Sequence, residues 1–224
     1  MLNTLSIFEE RKEEINFYFS IMVDLDGGSK NIKTIDNSRF FKIMKSNFLL
    51  MLYNLVEACV VNGMMEIYEN LRNDACSYNS LIKEIQVIWA NQKINEIYGP
   101  ATERSAYENR VQQIIDNIIN NNPIILTKSG LGISGNLDAK KIKSLCDKHR
   151  IRYCLTTKGT SLERVKNVRN GLAHGILSFS EGARDLPIDD LELIKDEVLD
   201  FLEGILQGMK QYYDGKHYKI KRSG

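Results

Sequence analysis

Several things are scarce in this sequence. Among 224 residues there are three prolines and one tryptophan, which argues against a linker-rich or solenoid chain. The four cysteines (Cys59, Cys76, Cys146, Cys154) include no Cys-x-x-Cys pair and stand at no zinc-finger spacing from a histidine. No glycine-rich loop for a nucleoside triphosphate and no carboxylate cluster of metal-ligand type is present. The expectation is therefore no metal and no cofactor. Excess charge is missing too. Lys and Arg number 30 against 29 Asp and Glu, a formal net charge of +1. That excludes a protein held to nucleic acid by bulk charge, so any such binding must come from a local patch. Met1 to Arg11 has no basic stretch followed by an apolar run and does not read as a signal peptide. The longest apolar stretch, Phe48 to Val61, is too short for a bilayer and is interrupted by Asn54 and Glu57. A cytoplasmic protein with reduced thiols and no membrane contact is expected.

What is present is a globular composition, 43% hydrophobic and 26% charged. One domain over 1–224 is expected. Leu5, Phe8, Ile15, Phe19 and Met22 recur at helical spacing and predict a first helix ended by Asp24 to Ser29. A second, from Ser38 to Val61, is apolar on nearly every face in its second half and belongs at the centre of a bundle. Asn62-Gly63 predicts a stop or bend, followed by helices over 64–75 and 79–98, the latter closed by Gly99-Pro100. Tyr107 to Asn120 is helical again. Residues 121–160 read as a loop-rich insertion. It holds the β-branched run Ile124 to Thr127, a helix over Leu137 to Lys148 and an extended piece at Ile151 to Leu155, with a short hairpin as one reading. Helices return over Ser161 to His174 and after Leu186-Pro187, before a basic tail at 216–224. The fold class is an all-α helical bundle.

One string goes beyond a helical protein: Arg169-Asn170-Gly171-Leu172-Ala173-His174, in a chain with three histidines. Cleaving RNA without a metal needs a base for the 2′-hydroxyl proton, an acid for the leaving 5′-oxygen and a cation for the charge on phosphorus. Histidine titrates near neutral pH and serves as acid or base. Arginine stays charged and offers phosphate a planar fork of donors. Asn170 stands four residues before His174, so on a helix the two share a face and can hydrogen-bond, fixing the ring.

The string with its flanks, Val168 to Gly175, resembles the R-x4-H signature of the HEPN superfamily, helical domains many of which are metal-independent ribonucleases. Other segments are similar to the branch of MAE-type HEPN-like nucleases. They are Arg11 to Tyr18, Lys45-Ser46-Asn47, Leu52 to Glu57, Ser134 to Asp138, Ser178-Phe179 and the Tyr212 to Tyr218 ending. They follow one order along nearly the whole chain. The resemblance implies an HEPN-like bundle that cuts RNA to a 2′,3′-cyclic phosphate and a 5′-hydroxyl. Arg169, His174 and Asn170 would be its catalytic residues. It also implies a role in bacterial defence or a toxin system, with an antitoxin or sensor protein as a further partner.

Five residues along a helix turn by about 140° and rise about 7.5 Å, so Arg169 and His174 of one chain do not sit side by side. A two-fold homodimer would bring two of each into one cleft, which matches the composite sites the resemblance implies. Other residues carry two readings each. Asn54 and Glu57 either position Arg169, with Glu57 as its ion-pair partner, or mark a wetted helix face or a core hydrogen bond. Ser134-Gly135-Asn136 either receives a phosphate or is a turn with Asn136 as N-cap and Asp138 in the first turn. His149, between Lys148 and Arg150, either touches an RNA backbone or is solvated. The tail with Tyr218 either binds nucleic acid or is an ordinary charged terminus. For the whole chain, the competing reading is a non-catalytic HEPN-like module that binds RNA, a nucleotide or a protein in a defence complex.

Overall fold

The computed structural model describes residues 1–27, 37–97, 104–133 and 135–221. Ser134, the Gly99-Pro100 closure, Gly28 and Ser29 of the first breaker, and the end of the tail from Arg222 lie outside the described residues. Among the described residues seven α-helices follow one another: α1 (Leu2–Asp26), α2 (Asn37–Asn73), α3 (Lys83–Ile97), α4 (Arg104–Ile119), α5 (Ala139–Lys148), α6 (Ser161–Ala173) and α7 (Ile188–Asp214). Among the described residues there is no strand.

The centre is α2, which packs on α1, α6 and α7 and buries Phe48, Leu49, Leu52, Leu55, Val56, Val60, Met64 and Ile67. It is continuous through Asn62-Gly63, where the sequence predicts a stop or bend. Gly63 serves contact instead of a turn, since a Cβ there would stand 2.9 Å from Met209 Sδ of α7. Burying Val60, Met64 and Ile67 around it outweighs the roughly 1 kcal/mol intrinsic cost of a helical glycine. By length and composition Ser38–Asn73 would now suffice to cross a membrane, and 61% of that apolar window is buried in the bundle.

The hairpin does not form. Ile124 and Leu126 are buried and Ile125 exposed, the alternation of an extended strand. However, the Ile124 N–H donates to the Cys76 carbonyl, not to a neighbouring strand of the insertion. The second extended piece lies on α7, where Gly204 and Gly208 make room: a Cβ on them would fall 2.5 Å from the Cys154 oxygen and 2.4 Å from the Arg152 oxygen.

Two surface expectations fail. His149 is buried: Arg150, at φ 59, turns the chain away after α5, and the imidazole enters the core beside Tyr68. The described part of the tail is no free basic terminus either. Tyr218 is fully buried and its hydroxyl donates to Asp74 (2.7 Å). Lys216 and Lys219 pair with the same carboxylate at 2.6 and 2.8 Å. Together they hold it well below the usual carboxylate range, against the opposing effect of burial.

Candidate functional site

The helix that carries the string, α6, is fixed at both ends. At its start Glu197 of α7 accepts the Thr160 N–H (2.8 Å), the Ser161 N–H (3.0 Å) and both hydroxyls. Burial alone would raise the Glu197 pKa, but these four donors hold it low. At its end the Ile176 N–H donates to the Gly171 carbonyl and the Gly175 N–H to the Leu172 carbonyl, with Gly175 in the left-handed region at φ 67. This is a Schellman termination, and it makes His174 the C-cap, one residue past the end of α6.

Arg169 is held from three sides. Its Nη1 donates to Asn170 Oδ1 (3.0 Å), its guanidinium lies over the Tyr53 ring (4.8 Å) and its Nη2 faces Glu57 Oε2 at 3.9 Å. Tyr53 and Glu57 are four residues apart on α2, so both point at α6. Tyr53 also anchors the loop before α5: its hydroxyl donates to the Gly135 carbonyl (2.6 Å) and accepts from the Leu137 N–H (3.2 Å). Asn170 completes the tie, donating from Nδ2 to Asn136 Oδ1 at 2.7 Å. One step further, Lys166 pairs with Asp138 at 2.8 Å.

The structure thus brings Arg169, Asn170 and Glu57 together and leaves His174 apart. The imidazole is exposed and has no hydrogen-bond partner among the described residues. The expected Asn170–His174 bond is absent because both ends of the amide are engaged by Arg169 and Asn136. Asn54 lies a quarter-turn away on α2. It is exposed, its side chain has no hydrogen bond among the described residues, its backbone carbonyl accepts from Arg11 (3.3 Å), and it lines the groove between α1 and α2. Asn136 is not the N-cap of α5. Asp138 is, accepting the Lys141 N–H at 2.9 Å.

The family model described as HEPN_MAE_28990-like HEPN matches residues 2–218 of this chain. The chain belongs to that HEPN family. No curated protein and no solved structure matches it.

In this HEPN chain the arrangement can present a preoriented cation at the surface beside a groove of about 410 Å³ whose lining includes Asn136, Asp138, Lys140, Lys141 and Lys148. A guanidinium has five N–H donors and one is committed to Asn170. At 3.9 Å the Glu57 carboxylate lies beyond hydrogen-bond reach, so phosphate oxygens could take the rest. Among the described residues no three His, Cys, Asp or Glu side chains gather where a metal could be held. Sequence reasoning missed Tyr53 and Glu197 and gave Asn136 a different role, because the partners of all three lie 34 to 116 residues away along the chain. The only local hints were that Tyr53 and Asn136 fall inside the segments resembling the family.

Proposed function

We propose that this protein is a metal-independent endoribonuclease that cuts RNA by attack of the 2′-hydroxyl on the adjacent phosphodiester. Arg169 stabilises the charge on the pentacoordinate phosphorus, and His174 moves a proton as general acid or base. Asn170 positions Arg169. The observation that carries the reading is a surface guanidinium already oriented by Asn170, Tyr53 and Glu57, on the same helix as an exposed imidazole. One chain supplies one imidazole for two proton transfers, so the working form is a homodimer with a shared cleft. Ile176 and Phe179, 76% and 40% exposed just beyond His174, suit such a contact. The biological setting is bacterial defence or a toxin system in the cytoplasm, with an antitoxin or sensor protein restraining the activity.

The test is incubation of the purified protein with total RNA in EDTA, alongside Arg169→Ala and His174→Ala. Cutting that survives EDTA and disappears in both variants supports the enzyme. Binding without cutting supports the competing module, a reading that the unoriented imidazole favours. Titrating wild type with excess His174→Ala subunits tests the shared cleft, because activity proportional to wild-type subunits contradicts it.

A further inference from the structure

At the far end of α2 a cavity of about 570 Å³ opens between the start of α3, the chain after α5 and the C-terminal segment. Its walls carry Lys83, Arg150, Arg152, Lys219 and Lys221, with one carboxylate, Glu84, among them. Arg150 stands 3.8 Å from Glu84, and Lys219 is paired with Asp74 at 2.8 Å. Lys83, Arg152 and Lys221 have no acidic partner among the described residues. Like charges gathered round a hollow repel unless an anion occupies it, and in a chain of net charge +1 this concentration is local.

The cavity is also built, not incidental. The Ile82 N–H donates to the Tyr218 carbonyl (2.9 Å) and the Ile220 N–H to the Ser80 carbonyl (3.0 Å). These bonds lock the wall that bears Lys219 and Lys221 against the start of α3. The first turn of α3 brings its one acid, Glu84, to the cavity beside Lys83, and Glu84 faces Arg150. Two buried oxygens here have no hydrogen bond among the described residues, Glu84 Oε2 in the wall and the Tyr212 hydroxyl behind it. Tyr212 is 1% exposed, its oxygen has no hydrogen bond among the described residues, and its ring meets the edge of His217, another cavity residue.

We infer that this cavity binds a phosphate-bearing ligand of nucleotide size through Lys83, Arg152 and Lys221. The volume suits a nucleotide, and Ile82 and Ile220 offer apolar surface beside the cations. The stretch of α2 from Tyr53 to Asn73 separates this cavity from Arg169 by roughly 30 Å of helix. Binding here therefore does not depend on whether RNA is cut there.

The experiment is calorimetric titration of the full chain at low salt with three probes: inorganic pyrophosphate, ATP and a 2′-O-methyl oligoribonucleotide. Wild type is compared with the double variant Lys83→Gln/Arg152→Gln and with Arg169→Ala. Both substituted cavity side chains are exposed, and thermal melting confirms that the variant is folded. The expected result is a pyrophosphate or ATP site weakened about tenfold in the double variant and still present in Arg169→Ala, which removes only what binds at Arg169 itself. An oligoribonucleotide weakened in the same way identifies RNA as the source of the phosphate, and one indifferent to the double variant identifies a free nucleotide. If none of the probes binds, or if no probe responds to the double variant, the proposal is overturned.

Discussion

Lowering the pH from 7.5 to 5 should remove about 2 kcal/mol of stability through one side chain, His149. Its Nδ1 lies 2.7 Å from the Leu145 carbonyl, which can only accept, so Nδ1 carries the proton. Nε2 therefore presents its lone pair to the Tyr68 hydroxyl at 2.7 Å. Both bonds suit the neutral ring, and a second proton would have to displace the Tyr68 donor in a site that is 2% exposed. Burial, with a smaller push from Lys148 and against the Leu145 carbonyl, lowers the pKa from 6.5 to about 4. The unfolded chain takes up this proton first as pH falls, so stability declines from about pH 6.5 and the loss levels off below about pH 4 near 3 kcal/mol. Urea unfolding at the two pH values, on wild type and on His149→Gln, isolates the contribution, since the variant should lose about 2 kcal/mol less over that interval. The ring proton of His149 is one of three such signals to assign by NMR. Parallel pH dependences for the two proteins, or a titration of that signal above pH 6, would refute the reasoning.

Replacing Glu197 by Ala removes the acceptor at the start of α6 and should lower stability by about 1–2 kcal/mol. Its folded pKa is depressed, so its contribution is present above pH 4.5 and lost as pH falls through the lowered value, and the gap between wild type and variant should narrow below pH 4.5 in chemical denaturation. Glu57→Gln removes a half-exposed ion pair worth at most about 1 kcal/mol, so melting should hardly change. On the nuclease reading the looser Arg169 should lower kcat about tenfold at unchanged KM. Full cleavage by a folded Glu57→Gln protein would remove its positioning role.

The helices were legible because their faces are. The stripes of α1 and α7 and the period of α4 and α6 are local properties, and the structure follows them to within a few residues. The failures share a cause in distant contacts. Asn62-Gly63 has the chemistry of a breaker, and the close approach of Met209, 146 residues on, explains a glycine inside a continuous helix. His149 between two cations reads as surface until Tyr68 supplies a buried hydroxyl, 81 residues away. The pair Gly204 and Gly208 looks like weak helix former until the carbonyls of the 152–154 segment are seen lying against them. For the site, residue types within one turn revealed Arg169, Asn170 and His174. The mistaken partner for Asn170 came from helical spacing alone, which could not anticipate that Asn136 would reach its amide first.

The two halves of the string are therefore in different physical states. Arg169 has lost its rotamer freedom to Asn170, Tyr53 and Glu57, so its guanidinium can meet a phosphate without a further ordering cost. His174 has not. It stands at a helix end whose backbone is fixed by the Schellman bonds, with an exposed imidazole that makes no hydrogen bond among the described residues. On the nuclease reading this asymmetry assigns the missing order to whatever docks beside Ile176 and Phe179. A second copy or a bound RNA strand would have to supply the hydrogen bond that selects the tautomer. Binding at Arg169 should accordingly be nearly independent of protein concentration, while cleavage through His174 should rise with it as dimers form. Equal concentration dependence of the two, measured across the dimer dissociation range, would place the ordering of His174 within the single chain.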